Sequence, residues 1–196
     1  MKTVAHDCGI EEKDIMQALE FLKDVGSLVY YITDTKKHHP DFVIIDPSWL
    51  ANVMSSVITF RHSWVRDGIL LHSDFPHVWE SYSTAMYENL IQLLEKFEIS
   101  YRMAGNPPRS LIPSLLNPRQ PSDTLASIWP TECPTEFDQF MRKFKFKFLP
   151  MGLFERLLVR VLHIPNTQSS LIWKTGTFYS FPFIFPFLIL SLLSCA

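Results

Sequence analysis

Residues 21 to 59 constrain this chain more than any other stretch: FLKDVGSLVYYI, a polar break, then DFVIIDPSWLANVMSSVIT. A helix end, two strands and a second helix must follow one another there with little room between them. Asp46-Pro47 marks a helix start, because an aspartate oxygen accepts from the first unpaired amides and proline gives up an N–H that has no helical partner. Behind it Leu50, Val53, Met54, Val57 and Ile58 recur at i, i+3, i+4, i+7 and i+8, which is one apolar helical face. Ahead of it, Ser27–Ile32 and Phe42–Ile45 are rich in β-branched and aromatic residues and are predicted strands, with TDTKKHHPD as the polar turn. Glu11–Val25 is predicted to be an amphipathic helix with Ile15, Ala18, Leu19 and Leu22 on one side, opened by acidic residues and closed by Gly26.

Further along, RHSWVRDG reads as a loop, followed by a short helix near Asp74–Tyr82 with Ser73 as its cap. A longer helix carries Tyr87, Leu90, Ile91, Leu94 and Phe97 at helical spacing. The order helix, strand, strand, helix, helix predicts an α+β unit of winged-helix-like type up to about residue 115. Residues 104–135 hold seven of the fourteen prolines, a density that forbids long regular elements and reads as a boundary segment. Lys143-Phe-Lys-Phe-Lys-Phe148 alternates strictly and is predicted to be a strand with Phe144, Phe146 and Phe148 on one face and lysines on the other. That strand is either a soluble sheet face or a basic patch for an acidic partner. Pro150-Met-Gly152 breaks it, and Leu153, Phe154, Leu157, Leu158, Val161 and Leu162 then form a helical stripe that Pro165 ends. Arg156 and Arg160 lie one turn apart on the other side. The stripe is first a core helix, and alternatively a helix packed on a partner domain.

Several function classes are excluded by what the chain lacks. A phosphate-cradling loop needs closely spaced glycines and a lysine; only six glycines occur, with no G-x-x-x-x-G-K-S/T and no kinase signature. No nucleotide chemistry is expected of the chain itself. Cys8, Cys133 and Cys195 form no C-x-x-C pair, so neither a disulfide framework nor a zinc site is expected, and a reduced cytosolic setting follows. His72 and His77 flank Asp74, and His38-His39 form a pair, but none has a second cluster at ligand spacing, so no metal is expected. Cys8 and Cys133 have no histidine partner at a catalytic spacing. The formal charge of −2 and a helix from Pro47 to Ile58 without Lys, Arg or His argue against nucleic-acid binding. MKTVAHDCGIEEKD has no apolar core of a signal peptide.

Leu22-x-Asp-x-Gly-x-Leu28, Asp46-Pro-x-Trp-Leu50, Val57-Ile-Thr59, Leu93-Leu-Glu-Lys-Phe-x-Ile99, Phe148-Leu-Pro-Met-Gly-Leu-Phe-x-Arg-Leu157 and Trp173-Lys-Thr-Gly176 occur in one order. Together they resemble the COR domain of Roco proteins, the multidomain GTPases that include the leucine-rich-repeat kinases. The resemblance runs through most of residues 10–176. It implies a winged-helix-like COR N-terminal subdomain at 10–115, a Pro-rich linker at 116–137 and the start of the COR C-terminal, dimerising subdomain at 138–176. It implies no catalytic residue, and no cofactor other than the GTP and Mg of a preceding Roc domain. The implied partners are a Roc GTPase domain in cis and a second COR copy, in the cytoplasm. Phe144, Phe146, Phe148, Phe154, Arg156 and Arg160 are the candidate inter-domain or dimer contacts.

On this resemblance the chain is truncated at both ends, and residues 177–196 are expected to be an apolar tail outside the family. Its 20 uncharged residues match the roughly 20 that span a bilayer as a helix. Membrane contact, if any, is confined to that tail. The tail reads as non-native sequence from a misread gene, as a membrane anchor, or as a buried strand pair. The rival function is therefore a stand-alone winged-helix-like adaptor anchored by its tail, or a fragment of a parent with GTPase or serine/threonine kinase activity.

Overall fold

The computed structural model describes residues 2–32, 42–59, 63–128, 144, 146–148, 150–164, 168–180 and 188–191. The chain forms two compact units, residues 1–55 and 56–196.

In the first unit, helix α1 (Lys2–Asp7) and a 3-10 turn at Glu12–Asp14 lead into helix α2 (Ile15–Asp24). Gly26 adopts φ +78° and stops α2 as its position predicts. Two backbone bonds close that end: Gly26 N–H to Lys23 O and Ser27 N–H to Leu22 O, each 2.9 Å. This is the paired-bond cap that a left-handed residue makes possible. Strands β1 (Val29–Tyr31) and β2 (Phe42–Ile44) then pair antiparallel, Val29 opposite Ile44. Ile15, Leu19 and Leu28 form the buried cluster here, with Met16, Tyr30 and Val43 packed on it. Helix α3 (Pro47–Ile58) starts where expected, the Ser48 N–H donating to Asp46 Oδ1 at 2.8 Å. Leu50, Val53 and Val57 of its predicted face are buried, while Ile58 lies at the exposed edge.

The second unit contains a four-stranded antiparallel sheet that the sequence reading missed. Its strands are β3 (Val65–Arg66), β4 (Ile69–Leu71), β5 (Tyr101–Met103) and β6 (Arg109–Leu111), in the order β3-β4-β6-β5. The expected loop RHSWVRDG is in part a hairpin: Asp67 (φ +47°) and Gly68 (φ +77°) make its two-residue turn. Asp-Gly is the favoured pair for that turn, so the signal was present. Strand β6 lies inside the proline-rich stretch because Pro107-Pro108 and Pro113 flank it, leaving Arg109–Leu111 free to pair on both edges.

Between β4 and β5 run a 3-10 turn at His72–Asp74, helix α4 (Phe75–Val78) and helix α5 (Tyr87–Lys96). Ser73 lies inside the 3-10 turn rather than capping a helix, and α4 is shorter than predicted. Leu90, Ile91, Leu93 and Leu94 of α5 are buried. Phe75, Trp79 and Tyr87 form an aromatic cluster, and Trp79 Nε1–H donates to Ser56 Oγ at 3.0 Å.

Helices α6 (Ser122–Ile128) and α7 (Leu153–Leu162) precede strands β7 (Gln168–Trp173), β8 (Gly176–Ser180) and β9 (Leu188–Ser191), which pair antiparallel in chain order. The predicted strand at 143–148 does not form over its described residues: Phe144, Phe146, Lys147 and Phe148 have irregular backbone. Alternation makes a strand only where a neighbour supplies backbone partners, and no described strand pairs with it. Lys143, Lys145 and Pro165 lie outside the described residues. Strands β8 and β9 fall largely within the stretch expected to be a tail, Tyr179 opposite Leu188 and Thr177 opposite Leu190. Trp173 pairs with Gly176 across the β7–β8 turn, and a Cβ on Gly176 would sit 2.1 Å from the indole, so only glycine fits. Among the described residues, no helix is long and apolar enough to cross a membrane.

Candidate functional site

Helix α5 ends on the same backbone device as α2, but with a different residue. Glu98 N–H donates to Glu95 O and Ile99 N–H to Leu94 O, each at 3.0 Å. The left-handed residue at this end is Glu98, at φ +57°. A side chain with a Cβ in that conformation costs roughly 1–2 kcal/mol. Glu98 stands one residue before the end of the stretch Leu93-Leu-Glu-Lys-Phe-Glu-Ile99.

The Glu98 carboxylate receives both arginines of α7. Arg156 Nε–H donates to Oε2 at 2.8 Å and Arg160 Nε–H to Oε1 at 2.6 Å. The i, i+4 spacing stacks the two guanidinium groups on one helical face, so one carboxylate reaches both. The Arg160 bond first, and the Arg156 bond second, hold the Glu98 carboxyl below the usual carboxylate range. Arg160 is raised in turn, chiefly by its bond to Glu98.

Three further sets of contacts fix α7. Its underside carries Leu158 and Val161 into a core with Leu111 and Leu116, against which Ile69, Tyr101, Met103 and Ile172 pack. At its C-terminal end Tyr101 O–H donates to Leu162 O at 2.9 Å. His163 meets the Tyr101 ring edge-on at 4.9 Å, and its Nδ1 lies 2.7 Å from Val159 O. The turn after β7 is tied separately, Lys174 N–H donating to Asn117 O at 2.9 Å and Asn117 Nδ2 to Asp67 Oδ1 at 3.3 Å. A second charged group joins β5 to α5, with Arg102 donating to Glu88 at 2.8 Å and Glu95 at 3.1 Å.

The six candidate contact residues thus separate. Phe144, Phe146 and Phe148 are exposed, at 77%, 52% and 79%. Phe154 is buried in the helix underside, and Arg156 and Arg160 are engaged within the chain. Residue-by-residue reading missed Glu98 and Tyr101. The one available signal was an acidic side chain just past a helix end, to be matched with two arginines at i, i+4.

The histidines near Asp74 are occupied singly. His72 Nε2 lies 2.9 Å from Ser110 Oγ, and burial is the main cause holding the ring below its ordinary pKa. His77 stacks on Trp64 at 4.0 Å. Among the described residues no three His, Cys, Asp or Glu side chains converge as metal ligands. His38 and His39 lie outside the described residues, as do Cys133 and Cys195; Cys8 is exposed and free.

What this arrangement does chemically is hold, by ion pairs and apolar packing, two segments on either side of the proline-rich stretch. Those segments coincide with two family matches. The profile of the C-terminal of Roc, COR-A domain matches residues 1–116, and that of the C-terminal of Roc, COR-B domain matches residues 138–189. The chain belongs to the COR family of Roco proteins. It is 39% identical over 177 residues to the probable serine/threonine-protein kinase roco11 of Dictyostelium discoideum, covering 85% of this chain and 12% of that protein. To the probable serine/threonine-protein kinase pats1 of the same organism it is 38% identical over 177 residues, covering 85% of this chain and 5% of that protein. The Roc-COR-CHAT protease of Runella zeae is 27% identical over 178 residues, covering 89% of this chain and 17% of that protein. The chain therefore spans a small part of each relative's length. The solved structure of Methanosarcina barkeri Roco2 RocCORdC bound to GDP aligns at TM-score 0.43 and 22% identity, covering 54% of this chain and 33% of that one.

The COR-B match continues past Gly176 through β8 to residue 189. In COR terms, Glu98 and Tyr101 belong to the first segment and Arg156, Arg160 and Leu162 to the second.

Proposed function

We propose that this chain is a non-catalytic COR module that couples a Ras-like Roc GTPase domain in cis to dimerisation and to a downstream effector domain. The observation that carries the reading is that α7 of the COR-B segment is held by Glu98, Tyr101, Leu111 and Leu116 at the end of the COR-A segment: a mechanical relay needs such a joint. GTP and Mg belong to the Roc domain in this reading, and the chain binds neither. The relatives' names pair COR sequence with different effectors, kinases in roco11 and pats1 and a protease in the Runella protein, which suits a relay that adds no chemistry of its own. The first segment serves as a winged-helix-like platform, and the exposed Phe144, Phe146 and Phe148 supply apolar contact area for the Roc domain or a second COR copy. The setting is cytoplasmic.

The test is to mix the full chain with a purified Roc domain loaded with GDP or a GTP analogue, and to follow association and mass by light scattering. Binding that differs between nucleotides, together with a change in the dimer fraction, is expected. No binding in either state, or a monomer throughout, overturns the reading.

A further inference from the structure

We propose that Glu98 is an electrostatic latch that locks the α7 helix of the COR-B segment onto the COR-A segment, and that the chain keeps a glutamate in a left-handed position for this purpose. The inference stands independently of any GTPase coupling. Two observations meet at this residue.

The first is the backbone. The ends of α2 and α5 make the same pair of closing bonds, and the left-handed residue is Gly26 in one and Glu98 in the other. Glycine is the residue such a cap favours. Glu98 therefore destabilises its own helix end, and the compensation has to lie outside that helix.

The second is the side chain. Each carboxylate oxygen of Glu98 takes one arginine, 58 and 62 residues away along the chain. Because the arginines stand at i and i+4, sliding or rotating α7 by one residue breaks at least one bond. The latch thus fixes the register of α7 and not merely its proximity. Both arginine side chains are well exposed, at 61% and 65%, so the latch opens to salt or to a competing anion without disturbing the apolar core beneath.

The test is a mutant cycle on the full chain, read by amide hydrogen exchange and thermal melting. The proteins are wild type, Glu98→Gly, Arg156→Gln with Arg160→Gln, and all three substitutions together. In the wild-type background Glu98→Gly should speed exchange across residues 153–162 on the order of fivefold, with residues 87–97 unchanged or slower. In the arginine-free background the same substitution should raise the melting temperature by about 2–4 °C, because only the backbone relief remains. Glu98→Gln, which keeps the side-chain length and removes the charge, should loosen 153–162 as Glu98→Gly does. Equal melting shifts in the two backgrounds, or unchanged exchange across 153–162 in Glu98→Gly, overturns the proposal.

Discussion

Helices α2 and α5 end in the same hydrogen-bonded motif, yet one uses Gly26 and the other Glu98. At Gly26 a Cβ would meet nothing within 4 Å, so that cap answers only to backbone conformation. At Glu98 the same conformation carries a carboxylate that receives two arginines from another segment. The difference teaches that a helix end can be set by local backbone freedom alone, or by a strained residue that a distant partner compensates. Only the first kind makes an isolated helix better.

The largest break in that comparison is expected from removing the core under α7, the helix that carries the second cap's arginines. Leu158→Ala should destabilise the chain by about 2–5 kcal/mol, since the side chain is almost fully buried; urea unfolding measures it. Gly26→Glu copies the strained residue into the first cap without its arginines. It should cost about 1–2 kcal/mol, with no clash, and a melting curve that matches wild type would refute the conformational argument. Tyr101→Phe removes the donor to Leu162 O while keeping the ring against His163; a loss of about 1 kcal/mol, seen as faster exchange at the end of α7, is expected.

The smallest effect is in pH. Glu98 in the folded chain is held below the ordinary carboxylate range, so its ion pairs contribute stability above about pH 4.3 and lose it as the pH falls through the lower folded value. Acid titration of wild type against Glu98→Gln should give curves that converge as the pH falls. Parallel curves down to the acid limit would show that the pairs contribute nothing.

Much of the local structure was legible in the residues. The start of α3 was readable because Asp46 and Pro47 act within one turn of themselves, and the end of α2 because Gly26 does. The stripe on α7 was readable in part because helical period is a property of the sequence: Phe154, Leu158 and Val161 are buried as it implies, while Leu157 of the stripe is exposed and Val159, off it, is buried. The β3–β6 sheet was missed: its two- and three-residue strands show no period and lack the longer β-branched and aromatic runs that flank β1 and β2, and the Asp67-Gly68 pair marked one turn of it. The KFKFKF segment failed in the opposite sense: it has the period, but among the described residues no strand pairs with it.

The sequence by itself determined where four helices lie, how two of them begin or end, and the COR family, because those signals act within a few residues or along an ordered set of motifs. The tertiary structure alone decided that Arg156 and Arg160 face Glu98, that Tyr101 reaches Leu162, and that Trp173 requires Gly176. The first two of these contacts join residues some sixty positions apart, whose approach depends on how the whole chain closes around one core. The third spans only a tight turn, but depends on which way a buried indole points. No local propensity encodes any of the three.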